Sequence, residues 1–193
     1  MTKKEVFKKE INYLKNPKYQ ENVQTLIELV PDYFFIIPAA STGKYHPQFA
    51  QGEAGLVRHT KVALKIAKDI LSLEYMNNIF TNDEKDLLLI AIMFHDTHKL
   101  GVPKEKYTRF DHPLLAASFI KDNQDKTTFT DKEINIITKT ISSHMGQWNT
   151  NSYSNITLPK PNDKYEFFVH MCDFLSSKKY LDVKFDKYNN IIE

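Results

Sequence analysis

The feature that most constrains this chain is an apolar run that ends in two polar residues, His95 and Asp96. Residues 87–94 are all apolar, which predicts an element buried on every side. Burying an imidazole and a carboxylate at the end of such an element costs desolvation free energy. Metal binding by the pair is the most economical way to offset that cost. We therefore predict a metal site at the end of a buried helix.

The chain supplies further residues of the same type, each on or beside an apolar helical stretch. They are His59, His112, His144 and Asp173. One such histidine alone is more often a hydrogen-bonded core residue than a ligand. The coincidence of several favours a shared metal site.

The donor set contains nitrogen and oxygen but no sulfur. It suits iron, manganese, zinc, nickel or cobalt and does not choose among them. Four residues (His59, His95, Asp96 and Asp173) would hold one ion. With His112 and His144 a second ion could bind, with Asp96 as the bridge. A pair of ions could activate water and hold phosphoryl oxygens.

Composition sets the protein class. The 193 residues suffice for one domain, residues 1–193, with a sizeable core. A net charge of +2 indicates neither a nucleic-acid nor a membrane surface. No apolar run is long enough for a transmembrane helix, and no signal peptide is expected. The single cysteine, Cys172, excludes an internal disulfide and favours a reducing compartment, the cytoplasm.

The hydrophobic pattern predicts an all-α bundle of about seven helices. Residues 55–180 form its expected core, preceded by N-terminal helices and a loop in 1–54. Predicted helices cover 2–16, 19–30, a stretch from 55 onward, 81–95, one from His112, one after Thr130, and 163–180. Capping boxes at Thr81–Glu84 and Thr130–Glu133 and a first-turn Pro113 support three helix starts. Residues 183–185 are either a short strand or an extended arm.

The order His59, then His95-Asp96, then Asp173 resembles the HD-domain metal phosphohydrolases. Residues 94–101 read FHDTHKLG, similar to that family's His-Asp-x-Gly-Lys signature, with His98 at the usual glycine. His112 and His144 resemble the binuclear subclass, which includes di-iron enzymes that cut dinucleotide polyphosphates or cyclic dinucleotides. The resemblance spans about residues 55–179. It implies a helical bundle and metal-dependent cleavage of a phosphoester.

Lys99 and Asp96 are the predicted catalytic residues. Lys99 is expected to contact phosphate or to act as a general acid for the leaving oxygen. The alternative is a lysine that only offsets the dipole of a helix C-terminus. His98 is either an additional substrate-side group or a tolerated surface residue.

Three basic residues ahead of the helix with His59, or within it, are predicted to bind phosphate. Lys44 and His46 lie in a glycine-containing loop, residues 41–47, and Arg58 precedes His59. Lys44, Arg58 and Lys99 would form a positive wall facing the metals. The alternatives are a polar surface loop and an Arg58 paired with a surface carboxylate.

Polar and aromatic residues also follow the later ligands. Gln147 and Trp148 come just after His144, so Trp148 could stack on a base while Gln147 reads its edge. Trp148 could equally fill the core. Ser176 and Ser177 follow Asp173 by one turn and could hold a ligand, touch substrate or lie on the helix surface.

The resulting hypothesis is a metal-dependent phosphohydrolase or phosphodiesterase that uses metal-activated water. Its expected cofactors are one or two divalent ions, foremost iron or manganese. Its expected substrate is a nucleotide or another phosphodiester, and the small size favours a small nucleotide over long RNA. The alternatives are a 3′-to-5′ single-strand nuclease with the same site and an inactive nucleotide-binding HD domain.

Overall fold

The structure is a computed structural model that describes residues 2–40 and 46–192. These residues form eight α-helices and no β-strand, so the predicted all-α fold is confirmed. Six helices have eleven residues or more. The helices are α1 (Lys3–Val6), α2 (Lys8–Ile11), α3 (Pro17–Leu29), α4 (Gly55–Leu71), α5 (Asn82–Phe94), α6 (His112–Asp122), α7 (Asp131–Ser142) and α8 (Lys164–Ser176).

Helix α5 lies at the centre of the bundle. It packs against α4, α7 and α8, while α6 packs against α7. Every residue from Lys85 to Phe94 is buried, because the helix has neighbours on all sides and no face left for solvent. Its start is the predicted capping box, in which Thr81 Oγ1 accepts from the Glu84 amide at 3.2 Å. The end of α5 therefore places the following residues, His95 and Asp96, inside the protein.

Helix α4 begins at a position that admits only glycine without a backbone shift. A Cβ on Gly55 would lie 2.3 Å from the carbonyl oxygen of Ala50. The preceding residue, Ala54, takes a left-handed conformation with φ of 56°. The loop before α4 therefore packs directly on the first turn of the helix that carries His59.

The N-terminal region differs from the predicted helix over 2–16. It forms two short helices, α1 and α2, separated by Phe7 and ending at Ile11. The buried Asp86 of α5 explains part of the difference. Its Oδ2 accepts from the amides of Lys15 and Asn16, at 2.9 Å and 2.8 Å. These amides are thus satisfied outside a helix, and the chain turns into α3.

The C-terminal segment lies against α4. Of the two alternatives for residues 183–185, a short strand or an extended arm, the structure shows no strand there, and Phe185 makes one antiparallel bridge with Ile191. Asn190 Oδ1 accepts from Lys61 Nζ at 2.9 Å, which satisfies a wholly buried ammonium. Helix α8 ends at Ser176, short of the predicted end at residue 180. No helix in residues 2–40 and 46–192 has the length and apolar character needed to cross a membrane.

Candidate metal centre

The structure brings together all six predicted ligand side chains. They come from five segments: α4 (His59), the turn after α5 (His95 and Asp96), the start of α6 (His112), the turn after α7 (His144) and α8 (Asp173). We call these six residues the candidate metal centre. All are buried except Asp173, which is partly exposed.

Asp96 lies in the middle of this cluster, and its two oxygens face different histidines. Oδ1 is 3.0 Å from His112 Nε2 and 3.8 Å from His144 Nε2. Oδ2 is 3.6 Å from His95 Nε2 and 3.9 Å from His59 Nε2. A carboxylate with this arrangement can contribute one oxygen to each of two neighbouring cation positions.

Asp173 completes one side of the cluster. Its Oδ1 is 3.0 Å from His59 Nε2 and 3.4 Å from His95 Nε2. Two triads have potential ligand atoms within 4.8 Å of one another: His59, His95 and Asp173, and His95, Asp96 and His144. Either triad could hold a metal ion.

Hydrogen bonds behind the rings orient the histidines. The Nδ1 atoms of His95, His112 and His144 lie 2.6–2.7 Å from the carbonyl oxygens of Ile92, Arg109 and Ile141. A carbonyl can only accept, so we infer that Nδ1 carries the proton in each ring. The Nε2 lone pairs then point into the centre, as in metal-binding histidines whose other nitrogen is held by a carbonyl.

Ser176 orients the fourth histidine, His59. Its hydroxyl donates to the Asp173 carbonyl at 2.7 Å and lies 3.2 Å from His59 Nδ1. Since the hydroxyl proton is used at the carbonyl, Oγ is free to accept from Nδ1–H. The His59 Nε2 lone pair therefore also faces the centre.

Unsatisfied atoms inside the cluster fit a cation. His95 Nε2 and Asp96 Oδ1 are buried and have no hydrogen-bond partner. The Nε2 atoms of His112 and His144 are 3.3 Å apart, and with both protons on Nδ1 they are two acceptors facing each other. Buried acceptors without a donor are costly, and a metal ion removes that cost.

Protonation states also fit two of the proposed ligands, Asp96 and His144. Burial opposes the ionisation of Asp96, but Lys99 and His95 hold its pKa well below the usual value. Burial and the neighbouring His95 lower the pKa of His144 to about 3, so its ring stays neutral. His95 differs: burial opposes its charge, but Asp96 and Asp173 raise its pKa. A bound metal would supply the positive charge that this proton otherwise brings.

Comparison with known proteins identifies the family. The HD domain family model matches residues 56–177, which contain all six residues of the candidate metal centre. The chain belongs to the HD domain family. No curated protein and no solved structure matches the chain in the corresponding searches. HD domains are mostly metal-dependent hydrolases, and the His/Asp clusters of this chain agree with an HD metal site.

Lys99 of the HD signature lies inside the centre. Its Nζ is 2.5 Å from Asp96 Oδ2, and the residue is 9% exposed. The lysine thus brings a positive charge to the carboxylate between the two groups of histidines. It lies five residues after the end of α5 and is buried. A lysine that only offsets the helix dipole would be in the last turn of the helix and exposed to solvent.

His98, at the usual glycine of the signature, is a buried residue and not a surface one. Its ring packs against that of Phe119, with the two ring centroids 4.6 Å apart. Its Nδ1 is 3.1 Å from Thr97 Oγ1. Burial lowers its pKa to about 4. The left-handed backbone conformation falls three residues later, at Gly101 with φ of 74°. The backbone at position 98 therefore does not require glycine in this HD domain.

Arg58 does not form the expected positive wall. Its guanidinium donates to the carbonyls of Phe49 and Gln51 and, at 2.7 Å, to Asn189 Oδ1. These three acceptors hold it against the preceding loop and the C-terminal segment, and within residues 2–40 and 46–192 it forms no ion pair with a carboxylate. Lys44, the other expected member, lies outside the described residues.

His46 lies beside the HD metal centre. Its ring centroid is 5.3 Å from that of His59, and its buried Nδ1 has no hydrogen-bond partner. Burial, together with His59 and Lys99, lowers its pKa to about 3. A neutral ring with an unused nitrogen next to a ligand stays a candidate for substrate contact.

The remaining predicted substrate residues lie near α8. Gln147 is exposed and Trp148 is 47% exposed, so Trp148 does not fill the core. Ser177 Oγ donates to the Phe174 carbonyl at 2.7 Å, so its hydroxyl is not directed at a proposed metal ligand. The serine that reaches a ligand is Ser176. Its position one turn after Asp173 indicated in the sequence that it could hold a ligand. Which of the two adjacent serines faces His59 depends on the rotation of α8 about its axis.

Proposed function

We propose that this HD domain is a metal-dependent phosphohydrolase or phosphodiesterase acting on a nucleotide or another phosphodiester. The observation that carries the proposal is the position of Asp96, whose two oxygens face two different sets of histidine Nε2 atoms. If two cations bind there, a carboxylate that can offer an oxygen to each would suit phosphoryl chemistry, in which both the attacking and the leaving oxygen need stabilisation.

Bound divalent ions supply Lewis-acid activation of a water nucleophile and offset charge on the phosphoryl oxygens. The reaction forms one bond from the water oxygen to phosphorus and breaks one ester P–O bond. The departing oxygen takes up one proton. No protein nucleophile is needed, because water supplies the new oxygen.

Different residues of the chain are assigned to metal binding, to charge stabilisation and to substrate contact. The six residues of the candidate metal centre would hold the ions, and Ser176 orients His59. Lys99 brings a positive charge to within 2.5 Å of Asp96 Oδ2, where it can stabilise a phosphoryl oxygen or protonate the leaving oxygen. His46 adds a neutral ring beside His59.

The proposed cofactors are one or two divalent transition metals. The nitrogen and oxygen donor set supports iron or manganese and also accepts zinc, nickel or cobalt. A cytoplasmic location belongs to the same proposal, supported by the single buried cysteine, Cys172.

The test is hydrolysis by anaerobically purified protein of known metal content. It is assayed with Mn²⁺ on nucleoside mono- and triphosphates, cyclic dinucleotides and short single-stranded RNA. We expect hydrolysis of at least one small phosphoester, and its loss in Asp96→Ala. Hydrolysis of strands alone, from the 3′ end, would assign the nuclease alternative. Nucleotide binding without turnover at any metal content would assign the inactive alternative.

A further inference from the structure

Three aromatic rings form a cluster next to the candidate metal centre. Trp148 stacks on Phe174 with ring centroids 5.7 Å apart and an interplanar angle of 23°. His170 contacts both, at 6.3 Å from Trp148 and 6.2 Å from Phe174. We call Trp148, His170 and Phe174 the aromatic shelf.

The aromatic shelf is tied to the backbone of a proposed ligand. His170 Nδ1 lies 2.7 Å from the carbonyl oxygen of His144. Gly146, with φ of 58°, lets the chain pass close to this ring, since a Cβ there would lie 2.1 Å from His170 Cε1. On the other side Phe174 directly follows Asp173. Two residues of the metal centre therefore fix the position of the shelf.

The candidate metal centre meets solvent at helix α8. Five of its six side chains are 4% exposed or less, whereas the side chain of Asp173 is 21% exposed. Asp173 lies on α8, the helix that also carries His170 and Phe174 of the aromatic shelf. A substrate that reaches the metal centre past Asp173 therefore approaches it at the helix that supports the shelf.

Trp148 keeps an exposed surface for such a substrate. The residue is 47% exposed although one face of its indole stacks on Phe174 and the ring also contacts His170. Lys178 Nζ lies 3.1 Å from the centroid of the Phe174 ring, which places a cation at the shelf. A half-exposed indole held on a second ring is a platform on which a base can stack, and a cation at the shelf favours an anionic ligand.

We propose that Trp148 stacks on a nucleobase of the substrate while the attached phosphate lies at the metal centre. The proposal rests on the proposed phosphohydrolase function for the position of the phosphate. It narrows the substrate class to base-containing phosphoesters, and it assigns His170 and Phe174 as the support of the stacking residue.

Trp148 is the only tryptophan of the chain, so a change in tryptophan emission reports on a ligand at this indole. The experiment titrates Mn²⁺-loaded protein with AMP, with adenosine and with ribose 5-phosphate. We expect AMP and adenosine to quench the emission and ribose 5-phosphate to leave it nearly unchanged. Equal quenching by AMP and ribose 5-phosphate would overturn the proposal, because the signal would then not depend on the base.

Calorimetric binding of AMP to variants provides a second readout that does not depend on turnover. Trp148→Leu should raise the Kd for AMP about 10- to 100-fold, the usual loss for one stacked base. Phe174→Leu should raise it less, because the indole loses only its support. The matched control is Tyr153→Leu in the same loop, since Tyr153 is 96% exposed and makes no ring contact with the shelf. Unchanged AMP affinity in a folded Trp148→Leu protein would overturn the proposal.

The outcomes separate this proposal from the hydrolase proposal. Base-dependent quenching without hydrolysis of any phosphoester supports the shelf and rejects the hydrolase. Hydrolysis of phosphoesters with no preference for AMP over ribose 5-phosphate rejects the shelf and keeps the hydrolase. A parallel titration with a short oligodeoxyadenylate distinguishes the source of the base: tighter binding than AMP indicates a strand end, and equal or weaker binding a free nucleotide.

Discussion

At the scale of single residues, the candidate site depends on hydrogen bonds made behind the ligands. Three histidines are oriented by backbone carbonyls, and His59 is oriented by a side chain, Ser176. Such partners keep a ring in its metal-binding orientation and hold the proton on the opposite nitrogen. Among these four histidines, His59 is therefore the one whose Nδ1 partner can be removed by a side-chain substitution.

We predict that Ser176→Ala weakens metal binding about 10-fold or more, as is usual when the partner of a ligating histidine is lost. The reason is that His59 Nδ1–H is left buried without an acceptor. Titration of metal-free protein with Mn²⁺ measures the effect. The control is Ser177→Ala, since its hydroxyl donates only to the Phe174 carbonyl. Equal affinities in the two variants would show that Ser176 does not position His59.

His98 makes the stability of the folded protein sensitive to acid. Its pKa is lowered from 6.5 to about 4 by burial, so between these values the unfolded chain binds a proton that the folded chain does not. Stability therefore falls as pH falls through this window. The contribution lost by His98 between about pH 7 and pH 5 is on the order of 2 kcal/mol.

We predict that His98→Leu reduces the loss of unfolding free energy between these two pH values. Urea unfolding at both values measures it. Phe119→Leu is the control, because it removes the stacking partner but keeps the titrating ring, so its pH dependence should resemble that of the wild type. An unchanged pH dependence in His98→Leu would contradict the prediction.

At the scale of helices, the start of α4 and the end of α5 deliver the first three ligands. The end of α5 is set by a buried apolar run that carries His95 and Asp96 into the core. The start of α4 is set by Gly55, where the Ala50 carbonyl lies against the helix one turn before His59. The position of His59 thus depends on a glycine one turn earlier in the same helix, which has no side chain to offer the metal centre.

We predict that Gly55→Ala lowers both stability and metal affinity. A Cβ 2.3 Å from the Ala50 oxygen forces the loop or the helix to move, at a cost of about 1–3 kcal/mol. That movement displaces His59. Thermal unfolding and Mn²⁺ titration measure the two effects.

Gly52→Ala is the matched control. A Cβ there meets nothing within 4 Å, although φ is 68°. It should cost stability, about 1–2 kcal/mol for a left-handed alanine, and leave metal affinity unchanged. Equal metal affinities in the two alanine variants would argue against coupling between Gly55 and the metal centre.

At the scale of the whole molecule, the candidate metal centre joins segments that are far apart in sequence. Ligands come from α4, the turns after α5 and α7, the start of α6, and α8. A cation bound by these segments favours the folded state over the unfolded chain, in which they are separated. Metal binding should therefore stabilise the entire bundle.

We predict that Mn²⁺ at 100 times its Kd raises the Tm by about 5–10 °C, from a gain of about 2.7 kcal/mol in a chain of this size. EDTA should reverse the rise. Asp96→Ala should strongly reduce both the rise and the metal uptake, because it removes the ligand shared by both sets of histidines and leaves only the triad of His59, His95 and Asp173. His112→Ala should retain about one ion where the wild type holds two. Full metal content in Asp96→Ala would reject the bridging role.

Much of this protein follows from local sequence. The capping boxes at Thr81 and Thr130 and the apolar run before His95 depend on interactions within a few residues, so the corresponding helices form as predicted. The spacing of His59, His95-Asp96 and Asp173 was enough to indicate the HD family. The prediction of one helix over 2–16 was wrong, in part because Asp86, which accepts from the amides at the end of that range, is distant in the chain.

Tertiary packing decided where the side chains point. From the sequence alone one could not predict that Arg58 binds Asn189 in the C-terminal segment, or that His98 is buried against Phe119. Nor could one predict that Ser176, and not Ser177, contacts His59. These outcomes depend on the rotation and spacing of helices remote in sequence, and a difference of one residue turns a side chain by about 100° around its helix. The local sequence thus determined the residue types and most of the helices. The convergence of the other five ligands around Asp96 depended on the packing of the whole bundle.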